Sequence, residues 1–143
     1  MDEIEKGQYS EFCDALIECM LETEDCLVRN RIALTLSALG CPKAVSVLIR
    51  LVCDPKLSNY NGTLLYALEK LDYKDYIEDL INLLAAESFE TRLQSYLLIE
   101  KVSSSLSQEK RNECYQILTT MITKANEKLA ILNDVIEQIA STE

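Results

Sequence analysis

The residues of this chain with chemistry to offer are thiols and carboxylates. Six cysteines stand at 13, 19, 26, 41, 53 and 114, and there is no histidine. No two of them form a C-x-x-C pair, so zinc and thioredoxin-like sites lack their spacing, and zinc would find no imidazole. Cys13, Cys19 and Cys53 fall on or beside apolar helix faces, where a free cysteine acts as a small hydrophobe. Cys41 precedes Pro42 near a helix start. That setting lowers a thiol's pKa, and inert packing is the competing role. Without histidine no side chain has an ordinary pKa suited to base catalysis near neutral pH. A Gly-rich phosphate loop, a G-x-S-x-G elbow and an H-E-x-x-H run are also missing. Catalysis has little to work with, so the expectation is a protein that is not an enzyme, with no metal and no cofactor.

The carboxylates are the larger resource. The neighbours Glu24-Asp25 and Glu78-Asp79 would point different ways on a helix and share a substrate poorly. Acids at 75, 78 and 79 fall in a helix's first turns, where the dipole favours them. Glu11, Asp14, Glu18 and Glu22 differ, because they recur at helical spacing and form one acidic stripe. Like charges at i,i+3 and i,i+4 repel, so keeping four of them implies a use for them.

The net charge is −10, and residues 1–25 hold nine acids against Lys6 alone, or −8 of it. That balance argues against nucleic acid, whose phosphates call for Lys and Arg. It favours a basic protein partner, since opposite fields speed encounter. Solubility is the competing reason for an acidic end. No apolar run approaches the ~20 residues that span a bilayer, so no membrane role is expected. Unpatterned thiols and no signal peptide point to a reducing cytoplasm.

Helices must position these groups, and only three Gly and two Pro stand in the way of long ones. Tyr9, Phe12, Cys13, Leu16, Cys19 and Met20 form a helical stripe over 8–22. A second helix is predicted over 26–39, with Ile32, Leu36 and Leu39 inward and Gly40 as its left-handed cap. Pro42 suits the first turn of a third helix over about 42–53, which stops at Asp54-Pro55. The segment 54–62 reads as a turn. Helices follow over 62–71 and 73–86, the second capped by Asp72. Another segment opens near Phe89, and serines at 103–105 break it. The last stretches are 107–125 and 127–140, the latter presenting Leu129, Leu132, Val135, Ile136 and Ile139.

Two of these units repeat one pattern. Residues 32–49 reappear as 64–81, with Leu36 matching Leu68, Leu39 matching Leu71, Val45 matching Ile77 and Leu48 matching Leu80. Ser95, Ile99 and Val102 continue the register, one residue short. A fixed period of this size marks stacked units, each burying its apolar face only against its neighbours. The chain reads as one domain over 1–143. An acidic cap helix occupies 1–25, repeats occupy 26–57, 58–88 and 89–126, and a cap helix occupies 127–143.

Leu36, Leu39, Gly40, Pro42, Ala44, Val45, Leu48, Ile49 and Leu51, then Asp54-Pro55, resemble HEAT repeats, in particular the short type also found in phycobilin lyases. The resemblance covers roughly 26–102. It implies an all-α fold, a right-handed α-α superhelix of about three HEAT-like hairpins and about seven helices. It also implies that the second helix of each pair lines the concave face. Superposing the repeats then pairs Lys43 with Asp75, Ser46 with Glu78 and Arg50 with Asn82 as a ladder across that face. Tyr73 and Tyr76 stand beside it, Tyr60 precedes it, and tyrosine is a frequent interface anchor.

The expected function is a non-catalytic protein-binding scaffold. Its sharpest form is a bacterial immunity protein that neutralises a basic, nuclease-type toxin, because an acidic inhibitor captures such a surface quickly. An adaptor or assembly chaperone is the alternative. A bilin-handling enzyme is the reading that the lyase resemblance alone supplies. Oligomeric state stays open.

Overall fold

The computed structural model describes residues 3–57 and 61–141, with side chains from Gly7 onward. Seven α-helices are found among them: α1 (Glu3–Glu22), α2 (Cys26–Ala38), α3 (Ala44–Val52), α4 (Gly62–Leu68), α5 (Ile77–Asn82), α6 (Phe89–Ser103) and α7 (Gln108–Ala140). No strand occurs among the described residues. The chain forms two compact units, residues 1–105 and residues 106–143.

In the first unit the first helices of successive repeats pack side by side, α2 on α4 and α4 on α6. Of the second helices, α3 lies against α2 and α4, and α5 lies against α6 of the next repeat. α1 closes the end of the row by lying on α2 and touching α3. The side chains explain the order. α3 buries Ala44, Val45, Leu48, Ile49 and Val52, one helical stripe. α4 buries Gly62, Leu64, Leu65, Ala67 and Leu68, five of its seven residues, because it has helices on both sides. α1, at the end of the row, buries little beyond Cys13 and Met20, and Phe12 of its stripe stays 53% exposed.

Caps set the helix limits. Asp25 accepts from the Leu27 and Val28 amides at 2.8 and 3.3 Å and starts α2. Gly40 ends it at φ 67°. The Gly40 amide donates to Ser37 O at 3.0 Å and the Cys41 amide to Leu36 O at 3.0 Å. These two bonds are the Schellman pair, which requires a left-handed residue at the glycine. Asn61, 2% exposed, donates from Nδ2 to Val52 O at 2.8 Å and ties the turn between repeats to the end of α3. Ser88 and Ser107 cap α6 and α7 by accepting from Thr91 N and Lys110 N.

Three expectations change. The helix foreseen over 73–86 is interrupted: tight 3-10 turns at Lys74–Tyr76 and Leu83–Ala85 flank a six-residue α5. Asp72 does not cap it; the flanking position is Tyr73, and no side chain caps the turn. The helices foreseen over 107–125 and 127–140 are one 33-residue helix. Nothing between them can stop it, since Ala125, Glu127, Lys128 and Leu129 are good helix formers and no Gly or Pro intervenes. Leu129, Leu132, Val135, Ile136 and Ile139, which the sequence places along its last stretch, are 44–71% exposed.

An added Cβ at Gly40 meets no atom within 4 Å, so Gly40→Ala suffers only the left-handed backbone penalty. The expected loss is about 1–2 kcal/mol of unfolding free energy, read as a lower urea midpoint at unchanged slope.

Candidate protein-binding surface

Glu11, Asp14, Glu18 and Glu22 are all exposed on α1, as the stripe requires. The tertiary structure joins this stripe to the repeats through Lys43, the first rung of the ladder. Lys43 Nζ stands 2.8 Å from both carboxylate oxygens of Asp14 and donates to Ser10 Oγ at 2.8 Å. The hydrogen bond to Asp14 lifts the Lys43 pKa above its ordinary value. The pair is more than half exposed on both sides, so water screens it and its worth is positional more than energetic. The Tyr9 hydroxyl donates to Leu39 O at 2.8 Å and fixes α1 against the end of α2.

Among the ladder residues, Lys43, Ser46 and Arg50 of α3 are exposed, as are Asp75 and Asn82 of the second repeat; Glu78 is half-buried. With the stripe, these positions carry six acids against two bases. Burial, then the charge of Asp79 on α5, raises the pKa of Cys53 at the end of α3.

Tyr73 does not belong to this surface. It is 1% exposed, and its hydroxyl donates to Leu98 O of α6 at 2.9 Å. Burial, then the charge of Glu69, pushes its pKa up to about 12. The chain leaves helical geometry at Tyr73 (φ −109°, ψ 12°), and the ring spans from the second repeat to the third. Tyr76 is half-buried, and Tyr60 lies outside the described residues.

Among the thiols, Cys13, Cys41 and Cys114 are buried, whereas Cys19 and Cys53 are exposed. Cys41 is 1% exposed. Burial, then hydrogen bonding with the Cys13 thiol, pushes its pKa up to about 11. The helix-start effect on Cys41 is therefore overridden, and it packs as an apolar residue. No group of three or more His, Cys, Asp or Glu among the described residues is placed to hold a metal ion.

One surface was missed in the sequence. Leu34 of α2, Tyr66 of α4 and Leu97 of α6 occupy equivalent repeat positions and are 38, 52 and 44% exposed. They run along the first helices, not the second. Between α4 and α6 this row borders a cleft of about 280 Å³ lined by Tyr66, Glu69, Gln94, Leu97, Leu98 and Lys101. Lys101 crosses its end, donating to Glu69 O at 2.8 Å and pairing with Glu69 Oε1 at 3.3 Å. The spacing of 32 and then 31 residues was the available signal.

Helical hairpins stacked in register, each completed by its neighbour, define an α-solenoid. Within that class a family model for HEAT repeats matches residues 13–98, and the chain belongs to the HEAT repeat family. No curated protein and no solved structure gives a significant match. No helix among the described residues is long and apolar enough to cross a membrane.

The raised pKa values fix a pH response. Cys41 and Tyr73 stand above their ordinary values of 9.0 and 10.0 in the fold, so folding favours their protonated forms. That stabilisation is complete below pH 9 and is lost as pH climbs through 11 and 12. Urea midpoints taken across this range are expected to fall steadily. Tyr73→Phe is expected to remove the upper part of the decline and to cost about 1 kcal/mol at neutral pH through the lost hydrogen bond.

Proposed function

We propose that this protein is a non-catalytic scaffold whose acidic surface captures a basic protein. In its specific form it is an immunity protein that masks a basic, nuclease-type toxin. The observation that carries this reading is the exposed row Glu11, Asp14, Glu18 and Glu22, joined to the second-helix face by the Asp14–Lys43 pair. HEAT repeats serve as protein-interaction scaffolds, and stacked repeats offer long surfaces rather than enclosed pockets. A rigid row of carboxylates on such a surface meets a phosphate-binding cleft with complementary charge. It competes there for the Lys and Arg that hold the nucleic-acid backbone. Cys41 is buried and the chain has no histidine, so neither is offered on this surface. An adaptor for a basic client would use the same surface, and genomic context separates the two: an immunity gene adjoins its toxin gene.

The test is capture from the native host on immobilised protein, with Glu11→Gln, Glu18→Gln and Glu22→Gln combined as the comparison. Asp14 is kept so that α1 stays tied to Lys43. A basic protein retained by wild type, released by salt and lost at least tenfold in the variant is the expected result. Rescue of growth when that protein is co-expressed with this chain establishes the immunity role. Retention that ignores both salt and the three substitutions would overturn the acidic-surface reading.

A further inference from the structure

We propose that α7 pairs with α7 of a second copy of this chain as an antiparallel two-helix coiled coil along residues 122–139. From Ile122 to the end of the described residues every side chain is exposed. Within that stretch Ile122, Ala125, Leu129, Leu132, Ile136 and Ile139 recur at alternating spacings of three and four. A strict seven-residue apolar repeat is the seam of a left-handed coiled coil. Tyr115 and Leu118 extend the same register toward the start of the helix. The seam is about 26 Å long at 1.5 Å per residue. Ile122, Leu129, Leu132, Ile136 and Ile139 along it are 55–71% exposed. A contiguous apolar row on that scale marks an association surface.

Three features select the occupant and its direction. The first is size. In an antiparallel pair the layers join Leu129 to Leu132, Ile122 to Ile139 and Ala125 to Ile136 of the second copy, so the one small residue meets a large one. A parallel pair sets Ala125 on Ala125 and leaves a void between the Ile122 and Leu129 layers, which well-packed cores avoid. The second is local charge. Lys124, Glu127 and Lys128 lie in the first half of the seam, a net charge of +1, and Asp134 and Glu137 in the second, a net charge of −2. Antiparallel pairing sets the basic half alongside the acidic half, and parallel pairing sets like beside like.

The third is the charge of the rest of the chain. Residues 1–105 carry eighteen acids and ten bases, whereas α7 carries five acids and four bases. The near-neutral helix can therefore approach its own copy without strong repulsion. Antiparallel pairing also separates the two points where the acidic units join α7. A strongly basic partner, suited to α1, has nothing to match on this seam.

The full chain at about 100 μM, a concentration that populates even a micromolar dimer, is to be run in sedimentation equilibrium. The expected mass is twice that of the chain. Leu129→Glu combined with Leu132→Glu, at exposed positions that the helix does not need for folding, is expected to return the mass of one chain with an unchanged helical circular-dichroism signal. Direction is read by mixing two single variants, Ala125→Cys and Ile136→Cys, under mild oxidation and sequencing the linked peptides. Linkage of 125 to 136 supports the proposal, and linkage of 125 to 125 overturns the antiparallel arrangement. A wild-type mass of one chain, a trimer or larger species, or a dimer untouched by the two glutamates overturns the seam itself.

Discussion

A pair of short antiparallel helices cannot keep its apolar face from water, and α4 shows how this chain meets that constraint. α4 is seven residues long, too short to hold a helix by its own hydrogen bonds. It is stable because Leu64, Leu65 and Leu68 are all within 1% of complete burial, between α2 on one side and α6 on the other. Each of these leucines contributes packing that truncation to alanine would reduce by about 2–5 kcal/mol. Removing α4 from its neighbours would also strip α2 and α6 of the surface that covers them. The first unit is therefore cooperative along its row, and the position of every exposed group on it depends on that burial.

Polar devices within the row serve register more than stability. Asn61 reaches back to Val52, Tyr73 reaches forward to Leu98, and Tyr9 holds α1 to Leu39. Each links one element to the next at a single carbonyl, and a slip of one residue would break it. The same connections bring Asp14 to Lys43, so the acidic stripe on α1 and the polar positions of α3 become one surface. Cys41 and Cys13 both lie inside, and burial favours the neutral thiol of Cys41 over its thiolate.

The two ends of the chain use opposite physics. The start of the chain concentrates charge, which acts at a distance and speeds encounter. The end presents a long, nearly neutral helix with an apolar seam, which acts only on contact and on a partner of matching shape. The two surfaces are chemically distinct, so one does not compete with the other for the same kind of ligand.

The repeat register, the glycine cap at 40, the stop at Asp54-Pro55 and the acidic stripe were legible in the sequence. Each is a local matter: backbone geometry at one residue, or the angle between residues on one helix. What the sequence left undecided is which face of each helix its neighbours cover. Periodicity placed Tyr73 beside the ladder and Phe12 in the core stripe, and the packing put the ring of Tyr73 inside and left Phe12 in water. It also concealed the row Leu34, Tyr66 and Leu97, whose apolar character reads as core until the helices on either side are in place. The single helix from Gln108 to Ala140 shows the same division. Its apolar spacing is written in the residues, but its exposure follows only from the tertiary structure, because burial depends on all of a helix's neighbours at once.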